Sequence, residues 1–530
     1  MGEPTLSWQR PRWPSWLALG AVLALLTVLK AYGVRPALSD ENIYFYMATR
    51  VVAGRMPYAD FSFAHPPVHL MLGVPVALLH PTLVAFKLIP VIAILVTCAA
   101  AWLVARGPGG TRWHEVRGAL GALALTASHD VLRSSSHFTG STEACAFLVV
   151  GVAALVFRRA AWCGVMFGLA AGVALYTAPS AAVMLALLLV GDRELGKRAI
   201  IACAITVASW NLLGLLLGGA RFLDDVYGYH LGKTSSPDAF SNALIMVCFH
   251  QTPLFLAVLP AATALFTSNV PWRRHAWLAH PWVLCVGGGV ASLLFLATQP
   301  RVFHFYLLPM LTLWAPLLGV AAAETLRAAL HRRGNAVVAL AVAWGVVLLV
   351  HNEVYRAVPY AKREWGTSHS YTWEPVPALG PINDVVRALF WSDVRVIGRD
   401  YSGITYALWH ESRAFDAAFA LAQEVQRQTT PEQTLLGDSL VAPLIALLAE
   451  RRLAQDRADT NTQRYASGRD RIDDVLRGAE ADNLGAVVVS PGKRFASLPG
   501  VREWLSERFT RVASYPDHEE KGVVELWVRR

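Results

Sequence analysis

Residues Ser39–Leu70, SDENIYFYMATRVVAGRMPYADFSFAHPPVHL, follow the first long apolar run of the chain and begin with two adjacent acids, Asp40 and Glu41. Acidic side chains are costly near a bilayer, so those that occur there often have a function. A carboxylate fixed at a membrane surface can act as a general base toward a polar substrate. The pattern also suits helix capping, with Asp40 at the N-cap of a helix over residues 41–53 and Glu41 favoured by the helix dipole. The two roles are compatible, because a capped carboxylate is also a fixed one.

The composition is that of a membrane protein. Of 530 residues, 55% are hydrophobic and only 16% are charged, with a mean hydropathy of +0.40, whereas soluble proteins carry about 25% charged residues. The net charge of +9 is expected of cytoplasmic loops rich in Lys and Arg. No basic cluster is interleaved with aromatic residues, which argues against nucleic acid as a partner. The six cysteines lie in or beside apolar runs, in no disulfide or metal-binding pattern.

The apolar runs predict a polytopic α-helical membrane protein with about 11 transmembrane helices, the first retained rather than cleaved as a signal peptide. The predicted spans are residues 16–32, 83–105, 118–132, 140–157, 162–177, 179–191, 199–219, 244–266, 281–298, 304–324 and 335–351. This register places most loop arginines on one side, which the positive-inside rule makes cytoplasmic. The apolar run Val68–Leu79 is too short for a good span and is interpreted as an interfacial or re-entrant helix.

The polar segment after His351 is long enough for one domain and lies outside the cytoplasm in this register. We divide the chain into a membrane module (1–351, with an outer loop over 33–82), a linker (352–381) and an extracytoplasmic α/β domain (382–530). Strands and helices alternate in that domain. Strands are predicted at Val394–Ile397, Thr434–Leu436, Ala486–Val489, Arg511–Ser514 and Val523–Val528, and helices at Ala417–Gln426, Leu440–Leu448 and Val501–Phe509.

The outer loop continues with Gly54, Pro57-Tyr58, Asp60-Phe61 and His65-Pro66-Pro67. Gly54 suits a helix C-terminus, and Pro57 prevents the helix from continuing. The two prolines after His65 restrict the backbone and hold the imidazole in place. Taken singly, these residues fit an ordered loop between two helices; their position between an acid pair and a span favours a functional site.

This arrangement resembles the first outer loop of the GT-C membrane glycosyltransferases, among them the protein O-mannosyltransferases and the lipid A aminoarabinose transferases. The resemblance covers residues 16–350 and extends to Thr139–Ala146, Gly168–Leu188 and Phe303–Pro309. It implies an inverting transfer of sugar from a polyprenyl-phosphate-linked donor to an acceptor hydroxyl at the outer face of the membrane. It also implies a catalytic acid in this loop, at the position of Asp40, and the acid pair Asp40 and Glu41 gives the catalytic candidates. The expected location is the bacterial inner membrane, with the C-terminal domain outside the cytoplasm; the sugar and the acceptor stay open.

One position departs from the family pattern: relatives often carry a lysine after the threonine between the fifth and sixth spans, and here Ala178 follows Thr177. Another group must then bind the donor phosphate, which charge-assisted hydrogen bonds stabilise best. The candidates for binding donor phosphate or sugar are Arg133, His230, Lys233, Arg301, His304 and Tyr306. The alternative for these residues is snorkelling and interfacial anchoring. Candidates for acceptor binding or for a second acid are Glu143, Asp60 and His65.

No cofactor is indicated. Asp224, Asp225 and His230 are residue types that bind divalent metals, but adjacent aspartates make a poor single site, so a metal is not predicted. The Gly437-Asp438-Ser439-Leu440 segment resembles the nucleophile motif of GDSL-type hydrolases but lacks the Asp-x-x-His that such enzymes need near the C-terminus. The alternatives to a transferase are a transporter or flippase, whose charges would lie near the bilayer midplane in repeated halves, and a non-catalytic binder of lipid-linked sugars.

Overall fold

The computed structural model describes residues 13–33, 39–107, 110–126, 131, 134–135, 137–232, 275–299, 302, 304–331, 417–492, 494–517 and 522–530. The first part of the chain is helical. Its longer helices are α1 (Trp13–Gly33), α2 (Glu41–Val52), α3 (Pro67–Leu79), α4 (Leu83–Arg106), α5 (Arg112–Thr126), α6 (Ser141–Val156), α7 (Ala160–Val173), α8 (Ala178–Gly191), α9 (Arg193–Gly218), α10 (Pro281–Ala297) and α11 (Leu308–Leu330).

Most of these helices coincide with predicted spans. The larger differences are at helix ends: α5 and α9 each begin six residues before their predicted spans, and α11 ends six residues after its own. A 3-10 turn over His304–Leu307 precedes α11. Within the described residues, three helices are long and apolar enough to cross a membrane: Leu83–Arg106, Arg193–Gly218 and Phe305–Glu324. Six further apolar helices are shorter. Predicted spans 244–266 and 335–351 lie outside the described residues, so the total of eleven stays a prediction.

Small residues bring the helices close together. Gly121 of α5 faces Gly319 of α11, and a Cβ on Gly121 would also lie 2.6 Å from the Cβ of Ala105 in α4. Likewise Gly164 of α7 lies against the backbone of α9 at Ala199. Helix packing in a membrane depends on such close approach, since lipid tails are as apolar as the side chains.

The bundle has two chemically different ends. The first, which we call the arginine end, carries Arg106, Arg117, Arg158 and Arg193 at helix termini. Two arginines there link neighbouring helix ends: Arg106 pairs with Glu115 at 3.0 Å, and Arg117 pairs with Glu324. The opposite end, which we call the cavity end, carries Asp40 and the first turns of α2, α6 and α11.

The C-terminal region is an α/β sheet in the order β2-β1-β3-β5-β4. Strands β1, β2 and β3 are parallel, and β4 and β5 are antiparallel additions. The strands are β1 (Thr434–Gly437), β2 (Arg452–Leu453), β3 (Leu484–Val489), β4 (Phe509–Asp517) and β5 (Gly522–Arg529); the helices are α12 (417–428), α13 (Ala442–Ala449), α14 (Ile472–Ala481) and α15 (Val501–Arg508). The four other predicted strands and the three predicted helices of this region are present. The predicted strand Val394–Ile397 and the linker 352–381 lie outside the described residues.

One face of this sheet shares a hydrophobic core with the helical part. Leu435 and Val488 from the sheet belong to the same buried cluster as Phe45 and Met47 of α2 and Phe138. The other face, with Leu436 and Val487, packs on α14 and α15. The C-terminal region is therefore seated directly on the helix that follows Asp40.

Candidate active site

A cavity of about 310 Å³ lies where the cavity end of the bundle meets the C-terminal region. This volume is at the lower end of the range for small-molecule sites, roughly 300–1,000 Å³. Its polar lining comes from both parts of the chain: Asp40, Tyr44, His65, Thr139, Ser141, Tyr176, Tyr229, His230, Gln299, Tyr306, Asp459, Asn461 and Gln463. The apolar wall includes Ile43, Leu175, Phe295 and Phe305.

Asp40 is at the N-cap position of α2, but its side chain makes no capping hydrogen bond. Its backbone is helical, with φ −58° and ψ −22°, and lacks the extended conformation typical of a capping residue. The capping interpretation is therefore wrong for this side chain. The carboxylate is exposed to the cavity instead.

The surroundings of Asp40 make it a stronger base than a free aspartate. Protein lines the cavity on several sides, so the carboxylate is less well hydrated than at an open surface, although part of Asp40 is exposed. This desolvation, together with the negative charge of Asp459, raises its pKa from 3.8 to about 6, although Arg494 and His137 act in the opposite direction. A base of this pKa is ionised at neutral pH and can still accept a proton efficiently.

Glu41 has different surroundings, although it is adjacent in sequence. Its carboxylate is fully buried, 2.9 Å from Lys87 Nζ, and it accepts a hydrogen bond from Phe138 N–H at 3.1 Å. His137 Nδ1 lies 3.3 Å away. Burial alone would raise the pKa of Glu41, but the charges of Lys87 and His137 outweigh it and lower the pKa to about 2. Glu41 does not line the cavity; it ties α2 to α4 and to the start of α6.

His65 lies across the cavity, in a position set by its neighbours. Its Nε2 is 2.9 Å from the hydroxyl of Tyr44, and its backbone carbonyl accepts a hydrogen bond from Tyr58 OH at 2.7 Å. Pro66 is the N-cap residue of α3, so the two prolines fix the backbone after the imidazole as the sequence indicated. His65 therefore presents a restrained ring to the cavity.

A second imidazole lies beside the first. The rings of His230 and His65 are 6.1 Å apart, centre to centre. His230 Nε2 is 2.9 Å from the carbonyl oxygen of Ala64. Because a carbonyl only accepts, Nε2 carries the hydrogen in this contact. The segment around His230 also fixes the outer loop, since Asp225 accepts hydrogen bonds from Ser62 Oγ at 2.6 Å and Phe63 N–H at 3.2 Å.

The remaining sequence candidates divide into several groups. Tyr306 lines the cavity, and its ring packs 4.9 Å from that of Tyr176. Asp60 accepts a hydrogen bond from Met56 N–H at 2.7 Å and does not line the cavity.

Glu143 is buried in the first turn of α6, where neither carboxylate oxygen has a hydrogen-bond partner among the described residues. The backbone of His304 is in the turn before α11; Arg133, Lys233 and Arg301 lie outside the described residues.

Sequence reasoning missed the contribution of the C-terminal region. Asp459 and Asn461 come from a loop after β2, and Gln463 lies in the short helix Thr462–Ala466 that follows it; no residue of this segment was singled out from the sequence. It also missed the cavity tyrosines Tyr44, Tyr176 and Tyr229, because single aromatic residues near span ends are common in membrane proteins.

Part of the membrane module is similar to a known protein family. Residues 63–313 match the model of glycosyltransferase family 87. The chain is a glycosyltransferase, and this match agrees with its resemblance to the GT-C superfamily. The match begins 23 residues after Asp40, and it includes His65, His230 and Tyr306.

Solved structures share the fold over nearly the whole length of this glycosyltransferase. The crystal structure of ArnT from Cupriavidus metallidurans in the apo state has a TM-score of 0.60 and 16% identity, covering 96% of this chain and 97% of that one. The crystal structure of the same protein bound to undecaprenyl phosphate has a TM-score of 0.57 and 15% identity, covering 97% and 98%. No curated protein matches the chain.

Proposed function

We propose that this GT-C enzyme transfers a sugar from a polyprenyl-phosphate-linked donor to an acceptor hydroxyl at the outer face of the membrane, with inversion at the anomeric carbon. The position and surroundings of Asp40 support this proposal most directly. Its carboxylate makes no capping bond, faces the cavity and is poised by its surroundings to accept a proton near neutral pH.

The donor would lie with its phosphate near His65 and His230 and its lipid chain between helices. Both imidazoles line the cavity, and an imidazole N–H can donate a hydrogen bond to a phosphate oxygen. Phe295 and Phe305 give the adjoining wall an apolar surface suited to the first isoprene units. The ArnT structure with undecaprenyl phosphate supports a lipid of this class. Arg133, Lys233, Arg301 and His304 remain candidates for further phosphate contacts, the more so because Ala178 supplies no charge.

In the proposed reaction the acceptor hydroxyl attacks the anomeric carbon from the face opposite the phosphate. Asp40 takes the hydroxyl proton while the new carbon–oxygen bond forms. The bond from carbon to phosphate oxygen breaks, and its electron pair leaves with the polyprenyl phosphate. A positioned base contributes roughly 10²–10⁴-fold, and cationic donors to the departing phosphate supply the complementary stabilisation.

The orientation in the membrane follows from the two ends of the bundle. The arginine end is cytoplasmic by the positive-inside rule. The cavity end, together with the C-terminal α/β domain seated on it, then lies outside the cytoplasm. On this basis we retain eleven spans and a bacterial inner-membrane location as part of the proposal.

The test is incubation of purified protein with a panel of polyprenyl-phosphate sugars, followed by mass spectrometry. We expect one donor to be consumed, with release of free polyprenyl phosphate. If every donor of the panel survives unchanged in the presence of a membrane extract as acceptor source, the proposed donor class is wrong.

A further inference from the structure

The C-terminal region places a second carboxylate in the cavity. Asp459 lines it together with Asp40; Asn461 follows on the same loop, and Gln463 lies in the short helix Thr462–Ala466 that begins after it. We propose that Asp459 binds the acceptor, accepting hydrogen bonds from two neighbouring hydroxyls of a sugar or polyol, and so orients the attacking hydroxyl toward Asp40. This inference rests on the proposed transfer reaction and specifies the chemical class of its acceptor.

The loop that carries Asp459 is held at three points. Before it, the buried carboxylate of Asp456 accepts hydrogen bonds from Tyr46 OH at 2.9 Å and Arg55 Nε at 3.1 Å, both from the membrane module. After it, Thr460 Oγ1 donates to the carbonyl oxygen of Gly437 at 2.7 Å.

The third point is Arg464, which lies 2.7 Å from Asp470 and 3.8 Å from Asp225 of the membrane module. A side chain fixed on both flanks loses little freedom when a ligand binds, which favours precise recognition. The two flanking contacts to the membrane module also fix Asp459 relative to Asp40.

The polar groups on this loop suit hydroxyl ligands. An ionised carboxylate only accepts hydrogen bonds and has about four lone-pair sites. One oxygen of Asp459 accepts from Asn461 N–H at 3.0 Å, which fixes the side-chain orientation and leaves capacity for further donors. Two adjacent hydroxyl groups can share the remaining sites, whereas an isolated serine or threonine hydroxyl offers a single donor.

Asp459 also influences the proton acceptor. Its negative charge raises the pKa of Asp40, whereas Arg494 and His137 lower it, and Asp459 acts on the nearby phenols of Tyr44 and Tyr229 in the same direction. Loss of this charge therefore has an effect that a merely structural change would not produce: the acidic limb of the rate profile moves to lower pH.

The experiment compares the wild type with Asp459→Asn, using the donor that the wild type consumes. Asparagine keeps an oxygen that can accept from Asn461 N–H, so the loop is preserved. The matched control is Asp473→Asn, an exposed aspartate of α14 that does not line the cavity. The acceptors are n-octyl glycosides and their single-deoxy analogues, and transfer to water is measured in parallel without acceptor.

We expect Asp459→Asn to raise the acceptor KM by about tenfold or more, because hydrogen bonds to a charged group are lost. Transfer to water persists, with its acidic limb displaced to lower pH. In the wild type, removal of one hydroxyl beside the attacking one produces a similar rise in KM. In Asp459→Asn the same removal has little further effect, because the two changes delete one interaction.

Two outcomes overturn the inference while leaving the proposed function intact. The first is donor consumption by the wild type without use of any octyl glycoside. The second is an unchanged acceptor KM and pH profile in Asp459→Asn. Absence of any donor consumption by the wild type is a different result, and it refutes the proposed function itself.

Discussion

Tyr46 donates its phenolic hydrogen to the buried carboxylate of Asp456 over 2.9 Å, and the same hydroxyl accepts the N–H of Leu453 at 2.8 Å. The two residues join α2, which begins next to Asp40, to the loop that carries Asp459. Arg50 adds an ion pair to Asp456 at 2.7 Å. Seating of the C-terminal region and assembly of the cavity therefore depend on the same contact.

Asp456→Ala should loosen this junction. It leaves the hydroxyl of Tyr46 and two arginines without their acceptor, at an expected cost of about 1–3 kcal/mol in stability. We expect faster limited proteolysis in the C-terminal region and a large loss of transfer. Tyr46→Phe, which removes one hydroxyl, should give the same changes to a smaller degree. Wild-type protease resistance in Asp456→Ala would contradict this role.

Asp40→Asn should reduce sugar transfer by roughly 10²–10⁴-fold, because it removes the proton acceptor and keeps the shape of the side chain. Binding of polyprenyl phosphate, measured by calorimetry, should change little. Asp473→Asn is the control for loss of an aspartate elsewhere. Near-normal transfer by Asp40→Asn would remove this residue from the mechanism.

The pH dependence should follow the same carboxylate. Asp40 works as a base only when ionised, and its pKa is raised to about 6. We therefore expect kcat/KM to rise with pH through about 6 and to level off above it, provided that chemistry limits the rate. A profile that falls as the pH rises through 6 would be inconsistent with a general base at this position.

Stability should respond to Asp40 in the opposite sense to activity. Because its folded-state pKa lies above the unfolded value, deprotonation costs folding free energy, and the cost is fully present above about pH 6. Asp40→Asn should therefore melt at the same temperature as the wild type or higher at pH 8. A lower melting temperature would mean that its loss of activity reflects misfolding.

Lys87→Met should destabilise the protein by about 3–5 kcal/mol, because it strands the buried carboxylate of Glu41. The double variant Glu41→Gln/Lys87→Met should recover part of that loss, since Gln still accepts from Phe138 N–H. Melting in detergent provides the measurement. Since the pKa of Glu41 is lowered to about 2, its stabilising contribution is present above about pH 4.5 and lost on acidification toward 2. If the single and double variants had the same melting temperature, the stabilising role of the ion pair between Lys87 and Glu41 would be contradicted.

Thiol labelling tests the orientation. Met56 in the outer loop and Arg158 at the arginine end are both exposed. In a chain whose native cysteines are replaced, Met56→Cys should react with an impermeant reagent from outside intact cells. Arg158→Cys should react only after permeabilisation. Labelling of both from the same side would refute the proposed topology.

Most helix ends in the described membrane part were predictable to within a few residues, because a stretch long enough to cross a bilayer has to be apolar along its whole length. The starts of α5 and α9 were not, since Arg112 and Glu115 in the one and Arg193 and Glu194 in the other extend the helix in a polar segment that hydropathy assigns to a loop. Backbone hydrogen bonding continues the helix there regardless of polarity, and Glu115 pairs with Arg106 at the end of α4.

The candidate site was only partly predictable. Asp40 and His65 stand out because they lie in a short loop among unusual neighbours. The separate surroundings of Glu41 depend on Lys87 and His137, which come close only when α2, α4 and α6 pack. Asp459 is still less accessible to sequence reasoning, since its position depends on docking of the C-terminal sheet against α2. The signal that could have drawn attention to it is the polar run Arg457–Asn461 between two buried elements.

Each part of the cavity is encoded in a different stretch of the gene. The imidazoles and the apolar wall that we propose for the donor come from the helical part, and the segment after β2 supplies another wall. Substitutions in that loop could accordingly redirect the enzyme to a new recipient without disturbing its use of the activated carrier. Grafting the segment between relatives offers a compact route to altered glycoconjugates.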